Sequence, residues 1–288
     1  MLNSSTMQAT AALAPGPDLN AQQRRERRRD WLHHHIGFAP MTGIGPEEID
    51  AHFAGMPARY WDCASETEII WGLKTIHKFL YELASPESSG TTPVLDARHF
   101  PEQGLTQLML CTWDRHGLLA KVAGALSALR INILQADVYT RADGIVLDIF
   151  QVCEREGCHI SDASRLEEIR FLLEGALSEP PRFASVWACS RHKNLPHAHY
   201  APPTIRFDTS TSFESTVVIV EAGDRLGLLH DILTGLTEAG VNVCHAVINT
   251  TESTARDTFY VATKDGEKIT EPGALNEIRF RVTEAIVS

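Results

Sequence analysis

Asp114-Arg-His-Gly-Leu-Leu119 returns 110 residues later as Asp224-Arg-Leu-Gly-Leu-Leu229, and the fold follows from that repetition. Each hexapeptide opens an apolar helical pattern that leads to a matching pair, Asn132-Ile133 or Asn242-Val243, at the same offset of 110. Further on, Asp148-Ile-Phe-Gln-Val152 pairs with Asp257-Thr-Phe-Tyr-Val261 at an offset of 109. One residue was therefore lost in between, where a hairpin turn tolerates it. Two copies are too few for a solenoid, which needs about three or more units to bury a continuous core. The chain reads as two related domains in tandem.

The spacing within each copy sets the elements. Leu105 to Thr112 is an apolar run of strand length. Leu118, Leu119, Val122, Ala125, Leu126 and Leu129 recur at helical spacing. Ile131–Thr140 and Ile145–Val152 are strand-like runs joined by a turn ending Asp143-Gly144, a strong hairpin signal. Ser161 is a candidate N-cap for a second helix with Leu166, Ile169, Leu173 and Leu177 inward, and Phe183–Cys189 is a closing strand. The order β-α-β-β-α-β is the ferredoxin-like split βαβ arrangement, an α+β fold. The second copy runs from Thr216 to Ile286 and has no room for a closing strand before Ser288. An extended segment upstream, Thr204–Asp208, is expected at the edge that would otherwise stay unpaired. On this reading the first copy closes its own sheet and the second borrows a strand.

Ahead of the copies, residues 1–30 hold Ser, Thr, Ala, Pro and Gly with the run Arg24-Arg-Glu-Arg-Arg-Arg29, and are expected to be a disordered leader. The basic run reads as a solvated face or as a dock for an acidic partner. Residues 31–100 read as a helical segment and linker. Pro46-Glu-Glu-Ile starts one helix, and Ser65 with Glu68 forms a capping-box pattern for another carrying Ile69, Leu73, Ile76 and Leu80. The domains are then placed at 101–190 and 203–288, with 191–202 as linker.

In 288 residues, 43% hydrophobic and 22% charged, a soluble globular chain with a substantial core is expected. The net charge of −11 disfavours nucleic acid and anionic membranes. No apolar run reaches the about 18 residues of a membrane span, and there is no secretory n-region and h-region, so a cytoplasmic protein is expected. Six scattered cysteines without a CxxC read as small reduced hydrophobes. His33-His-His35 and His197-Ala-His199 read as loop histidines in preference to a metal site. No P-loop, GxSxG or HExxH occurs, and no metal, cofactor or catalytic group is expected.

The chemistry-bearing residues are those of the repeat. In Asp114-Arg-x-Gly117-Leu118 and Asp224-Arg-x-Gly227-Leu228, a glycine at a strand-to-helix loop can bring backbone N–H groups close to a bound anion at the positive helix end. A carboxylate fits there. Asn132 or Asn242 adds an amide that donates and accepts, as an amino acid's polar ends require. The alternative is structural: Gly permits a tight turn, Asp caps the helix and Asn takes a left-handed conformation.

Strand, Asp-Arg-x-Gly-Leu-Leu, helix, Asn-Ile or Asn-Val, hairpin and Asp-x-Phe-x-Val together resemble the ACT domain, a module that commonly binds amino acids between domains. The Asp148-Ile-Phe ending, the spacing of the copies and the upstream Met56-Pro-Ala-Arg-Tyr60 resemble more closely the tandem ACT pair ending the bifunctional uridylyltransferase/uridylyl-removing enzymes. The resemblance covers residues 46–288. It implies glutamine sensing, with Asp114, Gly117, Asn132, Asp224, Gly227 and Asn242 as ligand candidates. His116 and Leu226 stand where the family's loop usually has proline. The Asp-x-Asp of that family's nucleotidyltransferase domain is absent from the sequence, and its one His-Asp dipeptide, His230-Asp231, reads as helix surface. A non-catalytic sensor is therefore expected, acting through a homodimer or a signalling protein partner. The rivals are a uridylyltransferase-related enzyme of nucleotidyl transfer and a purely structural dimerisation module.

Overall fold

A computed structural model describes residues 21–36, 43–85, 92–154, 157–178, 202–251 and 254–288. Helices α1 (Ala21–Ile36), α2 (Pro46–Gly55), α3 (Ala58–Cys63) and α4 (Glu66–Leu83) precede strand β1 (Val94–Phe100). The first copy follows as β2 (Leu105–Trp113), α5 (Leu118–Ala128), β3 (Asn132–Thr140), β4 (Ile145–Cys153) and α6 (Ala163–Ser178). Strand β5 (Thr204–Asp208) leads into β6 (Thr216–Gly223), α7 (Leu228–Glu238), β7 (Asn242–Val247), the two-residue β8 (Thr250–Thr251), β9 (Thr254–Ala262) and α8 (Pro272–Val287).

The strands form one antiparallel sheet in the order β1-β2-β4-β3-β7-β9-β6-β5, with β8 paired to β9. As the sequence predicts, β5 borders β6, with Thr204 opposite Glu221 and Asp208 opposite Val217. The first copy is built the same way, which corrects the expected asymmetry. Val94–Phe100, assigned by sequence to the linker, runs along β2 from Val94 opposite Cys111 to Phe100 opposite Leu105. Its Val94 and Leu95 are buried, and its Asp96 accepts the Trp71 indole N–H at 2.6 Å, so both core burial and α4 hold it at the edge. The expected closing strand Phe183–Cys189 lies outside the described residues.

Two apolar layers sandwich the sheet of the first copy. On one face a single core spans both copies, with Leu118, Val122 and Leu126 of α5 beside Leu228, Ile232 and Leu236 of α7 over Phe150 and Phe259. Helices α5 and α7 pack side by side there, and His230 donates from Nδ1 to the Ala120 carbonyl at 2.7 Å. The His230-Asp231 pair is thus part of a helix interface, not a helix surface. On the other face, Tyr60, Trp61, Ile69, Leu73 and Phe79 of the leading helices cover Met109, Tyr139, Leu147 and Ile149 of the first copy.

The leader expectation is corrected over its last ten residues. Positions 21–36 are helical, and the helix is held on α2 by its own basic run: Arg29 pairs with Asp50 at 2.6 Å, and Arg25 lies over the Phe53 ring and donates to its carbonyl. Among the described residues of this helix Leu32 alone lies in the buried core, so docking through arginines leaves no apolar periodicity to read. His33 sits on that helix within 3.0 Å of Asp50, whereas His197-Ala-His199 lies outside the described residues. At α4 the Ser65–Glu68 capping box forms in both directions. At α6 the cap is Asp162, which accepts the Ser164 N–H at 2.9 Å, in place of the expected Ser161.

The copies join where β3 meets β7, through Gln135 opposite Val247, Ala136 opposite Ala246 and Asp137 opposite His245. On the outer face Arg59, from the Met56-Pro-Ala-Arg-Tyr60 stretch, binds both sides of this seam. It donates to the Cys244 carbonyl at 2.6 Å and to Asp137 at 3.0 Å, and its guanidinium lies over the Tyr139 ring. His245 also reaches Asp137 at 2.8 Å. Burial pushes the Asp137 carboxyl up, but hydrogen bonds from His245 and Gln135 and the nearby positive charge outweigh it and hold the group below its usual range.

Two close packings generate predictions. A Cβ on Gly235 in α7 would lie 2.7 Å from Val282 Cα and 2.8 Å from the Arg281 carbonyl oxygen, both backbone atoms of α8. Gly235→Ala is expected to cost about 1–3 kcal/mol in thermal or urea unfolding. Gly175→Ala in α6, where a Cβ meets nothing within 4 Å, is expected to stabilise by up to about 1 kcal/mol. In the first copy, Asp148 is fully buried with neither carboxyl oxygen well hydrogen-bonded, and burial raises it far above the usual carboxylate range. A carboxyl raised in the folded state supports the fold fully below its unfolded value of about 4 and loses that contribution as pH rises. Asp148→Asn is therefore expected to melt higher than the parent protein at pH 8, by roughly 2 °C or more, with the difference vanishing near pH 4.

Candidate functional site

Each copy turns from its first strand into its helix through a glycine with positive φ, 70° at Gly117 and 82° at Gly227. A side chain there would strain the turn, and glycine lets the chain enter the helix directly after the strand. No side chain caps either helix, so the aspartates do not act as caps. Nor does either asparagine adopt a left-handed backbone; Arg130 and Gly240, two residues before each, take that conformation. Asn132 and Asn242 instead start β3 and β7 with exposed side chains. Of the structural alternative, the glycine's part in the tight turn holds, while the aspartate caps and the left-handed asparagines are not seen.

The seam between the copies brings the two motifs into one cavity of about 530 Å³, a volume within the usual range for small-molecule sites. It combines residues from different copies. Arg130, Asn132 and Leu134 come from the turn after α5 and from β3; Asp224, Gly227 and Leu228 come from the loop before α7 and its first turn. Of the sequence-predicted residues, Asn132, Asp224, Gly227 and Leu228 are united here, while Asp114, Gly117, Leu118 and Asn242 do not line this cavity.

The rest of the wall is Ile248, Asn249, Thr250, Ala255 and Asp257. It exists because the strand that begins at Asn242 breaks after Val247. Pairing of β7 with β9 stops at Val247 opposite Thr258, resumes only at Thr250 opposite Ala255, and Ile248 turns its N–H to the Leu134 carbonyl of β3 at 2.9 Å. In the first copy β3 instead pairs with β4 through Tyr139 and Thr140, and Tyr139 is buried. The equivalent carboxyls accordingly differ. Asp148 is sealed, whereas Asp257 borders the cavity with one oxygen accepting the Asn249 N–H at 3.2 Å.

Electrostatically the cavity wall carries groups of both signs. Burial pushes the Asp257 carboxyl up to about 7, against the Asn249 hydrogen bond, and the nearby Asp224 pushes the same way. Partial burial also raises Asp224, against its own backbone hydrogen bond. Arg225 is neutralised by Asp231 at 2.5 Å, and its guanidinium donates to the Ile286 carbonyl. The positive features are the exposed Arg130 and the uncapped start of α7. Among the described residues no group of three or more His, Cys, Asp or Glu side chains is placed to hold a metal, and no helix is long and apolar enough to cross a membrane. Sequence reasoning missed Arg130, Asn249 and Asp257 as cavity residues. Asp257 carried a signal, since it repeats Asp148, but strand alternation alone sends such a residue into the core.

The ACT domain family matches residues 107–174 and 216–280. Among curated relatives, the bifunctional uridylyltransferase/uridylyl-removing enzyme of Gluconobacter oxydans is 34% identical over 94% of this chain and 27% of its own length. Those of Azospirillum brasilense and Rhodospirillum rubrum are each 30% identical, over 64% and 71% of this chain and 20% and 22% of theirs. The chain thus spans about a quarter of the length of these relatives. A solved structure, of an unknown protein from Galdieria sulphuraria, aligns at 16% identity and a TM-score of 0.21 over 64% of this chain and 91% of that one. The doubled loop, the ACT family match and the curated relatives make the chain a tandem ACT-domain protein, homologous over 94% of its length to the C-terminal region of bifunctional uridylyltransferase/uridylyl-removing enzymes.

Proposed function

We propose that this chain senses a free amino acid, glutamine in the first instance, in the cavity between its two ACT domains. The observation that carries the reading is the composite wall: an amide and a cation from one copy face a helix N-terminus and two carboxyls from the other. An α-amino acid needs such an arrangement, because its carboxylate suits the helix terminus and Arg130 while its ammonium suits the carboxyls. A ligand touching both copies binds only one arrangement of the seam, so occupancy shifts the population of seam geometries. The relatives' names supply a setting, uridylyl transfer and removal, in which such a shift is read by a partner or by a further domain.

Arg59 gives the shift a route outward. It touches both sides of the seam from the opposite face and belongs to the helices that precede the ACT pair. Coupling through this residue is part of the same proposal.

Titration calorimetry with glutamine and each of the other common amino acids is the direct test. Binding of at least one is expected, and silence toward all of them removes the sensing reading. Two single changes test the site without disturbing the core, because both asparagines are exposed. Asn132→Ala is expected to weaken binding about tenfold, the effect of losing one polar contact, whereas Asn242→Ala leaves it unchanged. Equal loss in both variants places the ligand elsewhere.

A further inference from the structure

Asp257 is almost wholly buried, at 1% exposure, yet it borders the cavity. One of its oxygens accepts the Asn249 N–H, and the other has no hydrogen-bond partner among the described residues. A polar oxygen held without a partner in the wall of a cavity needs a donor from what fills that cavity. Resting on the sensing proposal, we propose that Asp257 is the specificity-determining receptor for the ligand's ammonium group, releasing a proton to become carboxylate as the amine binds.

The surroundings decide between an amine and other donors. Charged groups lining the cavity are Asp224 on the loop before α7, Arg225 beside it, Arg130 on the turn after α5, and Asp257 itself. Arg225 is bound to Asp231 of α7, and His230 of α7 faces the Ala120 carbonyl on α5. The neighbours of Asp257 along and across the sheet, Arg256 and Val220, bring no charge into the cavity. Arg256 follows the strand's alternation to the other face, and Val220 is apolar. The segment covering Asp257 offers Asn249 and Thr250, both uncharged. Two carboxyls therefore line the cavity, and among the described lining residues Arg130 is the cation not paired with a carboxylate. An incoming ammonium supplies both donors and charge, whereas an anion would meet two acids.

Burial sets the pH behaviour. With the carboxyl raised to about 7 in the free protein, it is largely neutral below that value, and an ammonium favours only the ionised form. Binding must then release a proton at low pH. The sign follows: affinity rises with pH up to about 7, by at most about tenfold per unit for one proton, and levels off above it. The equivalent Asp148, sealed in its core, takes no part.

The test is titration of the full chain with glutamine at pH 6, 7 and 8, in buffers of different ionisation enthalpy, so that proton release is measured with affinity. The parent protein is expected to bind about tenfold more weakly at pH 6 than at pH 8 and to release most of one proton at pH 6. Asp257→Asn is expected to lose about tenfold or more in affinity at pH 8 and to bind without pH dependence or proton release. Glutamine lacking its amino group, tested on the parent protein at pH 8, is expected to bind at least about tenfold more weakly than glutamine; this arm stands even if the variant does not fold. Parent binding that is independent of pH, or a variant or deaminated ligand that matches the parent complex, overturns the assignment of Asp257 and leaves amino-acid sensing standing. No binding of any amino acid by the parent protein overturns the sensing proposal, and this one with it.

Discussion

Three residue pairs between β3 and β7 carry the architecture, because they turn two small sheets into one. Without that seam each copy would present an open strand edge to solvent, with unpaired backbone groups and half of a shared core. A ladder this short is weak alone. It is reinforced on the helical face by α5 against α7 and on the outer face by Arg59, whose guanidinium bridges the Cys244 carbonyl, Asp137 and the Tyr139 ring. The cavity opens at the end of the same ladder, where Ile248 leans on the Leu134 carbonyl. Anything that alters the seam alters the cavity, and the converse holds by linkage.

Duplication explains the parts but not their use. Both copies keep the strand-to-helix glycine, the asparagine at the second strand and the carboxyl in the third. In the first copy the β3–β4 ladder runs on past Asp148 to Thr140, and Asp148 is sealed beneath it. In the second, the break after Val247 removes that cover and leaves Asp257 on a cavity wall. Two equivalent carboxyls thus have different surroundings, one costing stability at neutral pH and the other facing space for a ligand. A few backbone hydrogen bonds separate the two situations.

Much of this was legible before the fold was known, for identifiable reasons. The helices of both copies and the capping box at Ser65 follow from periodicity and local hydrogen bonding, which act over three or four residues. The borrowed strand Thr204–Asp208 follows from counting strands against an edge that cannot stay open. By contrast, α1 escaped because it docks by arginine contacts in place of an apolar stripe, and β1 escaped because Val94–Phe100 reads as an ordinary extended linker until β2 lies beside it. The cavity was half legible: Asn132, Asp224, Gly227 and Leu228 were named, but as members of two separate sites.

Sequence by itself determined that there are two copies of one α+β unit, where each turns, and which residue types stand at those turns, because these depend on local spacing and backbone preference. Only the tertiary structure decided which copy's asparagine meets which copy's loop, that Asp257 opens to a cavity while Asp148 does not, and that Arg59 straddles the seam. Those outcomes depend on how β3 and β7 pair across the chain, and the energy of that contact is written in no local stretch of residues.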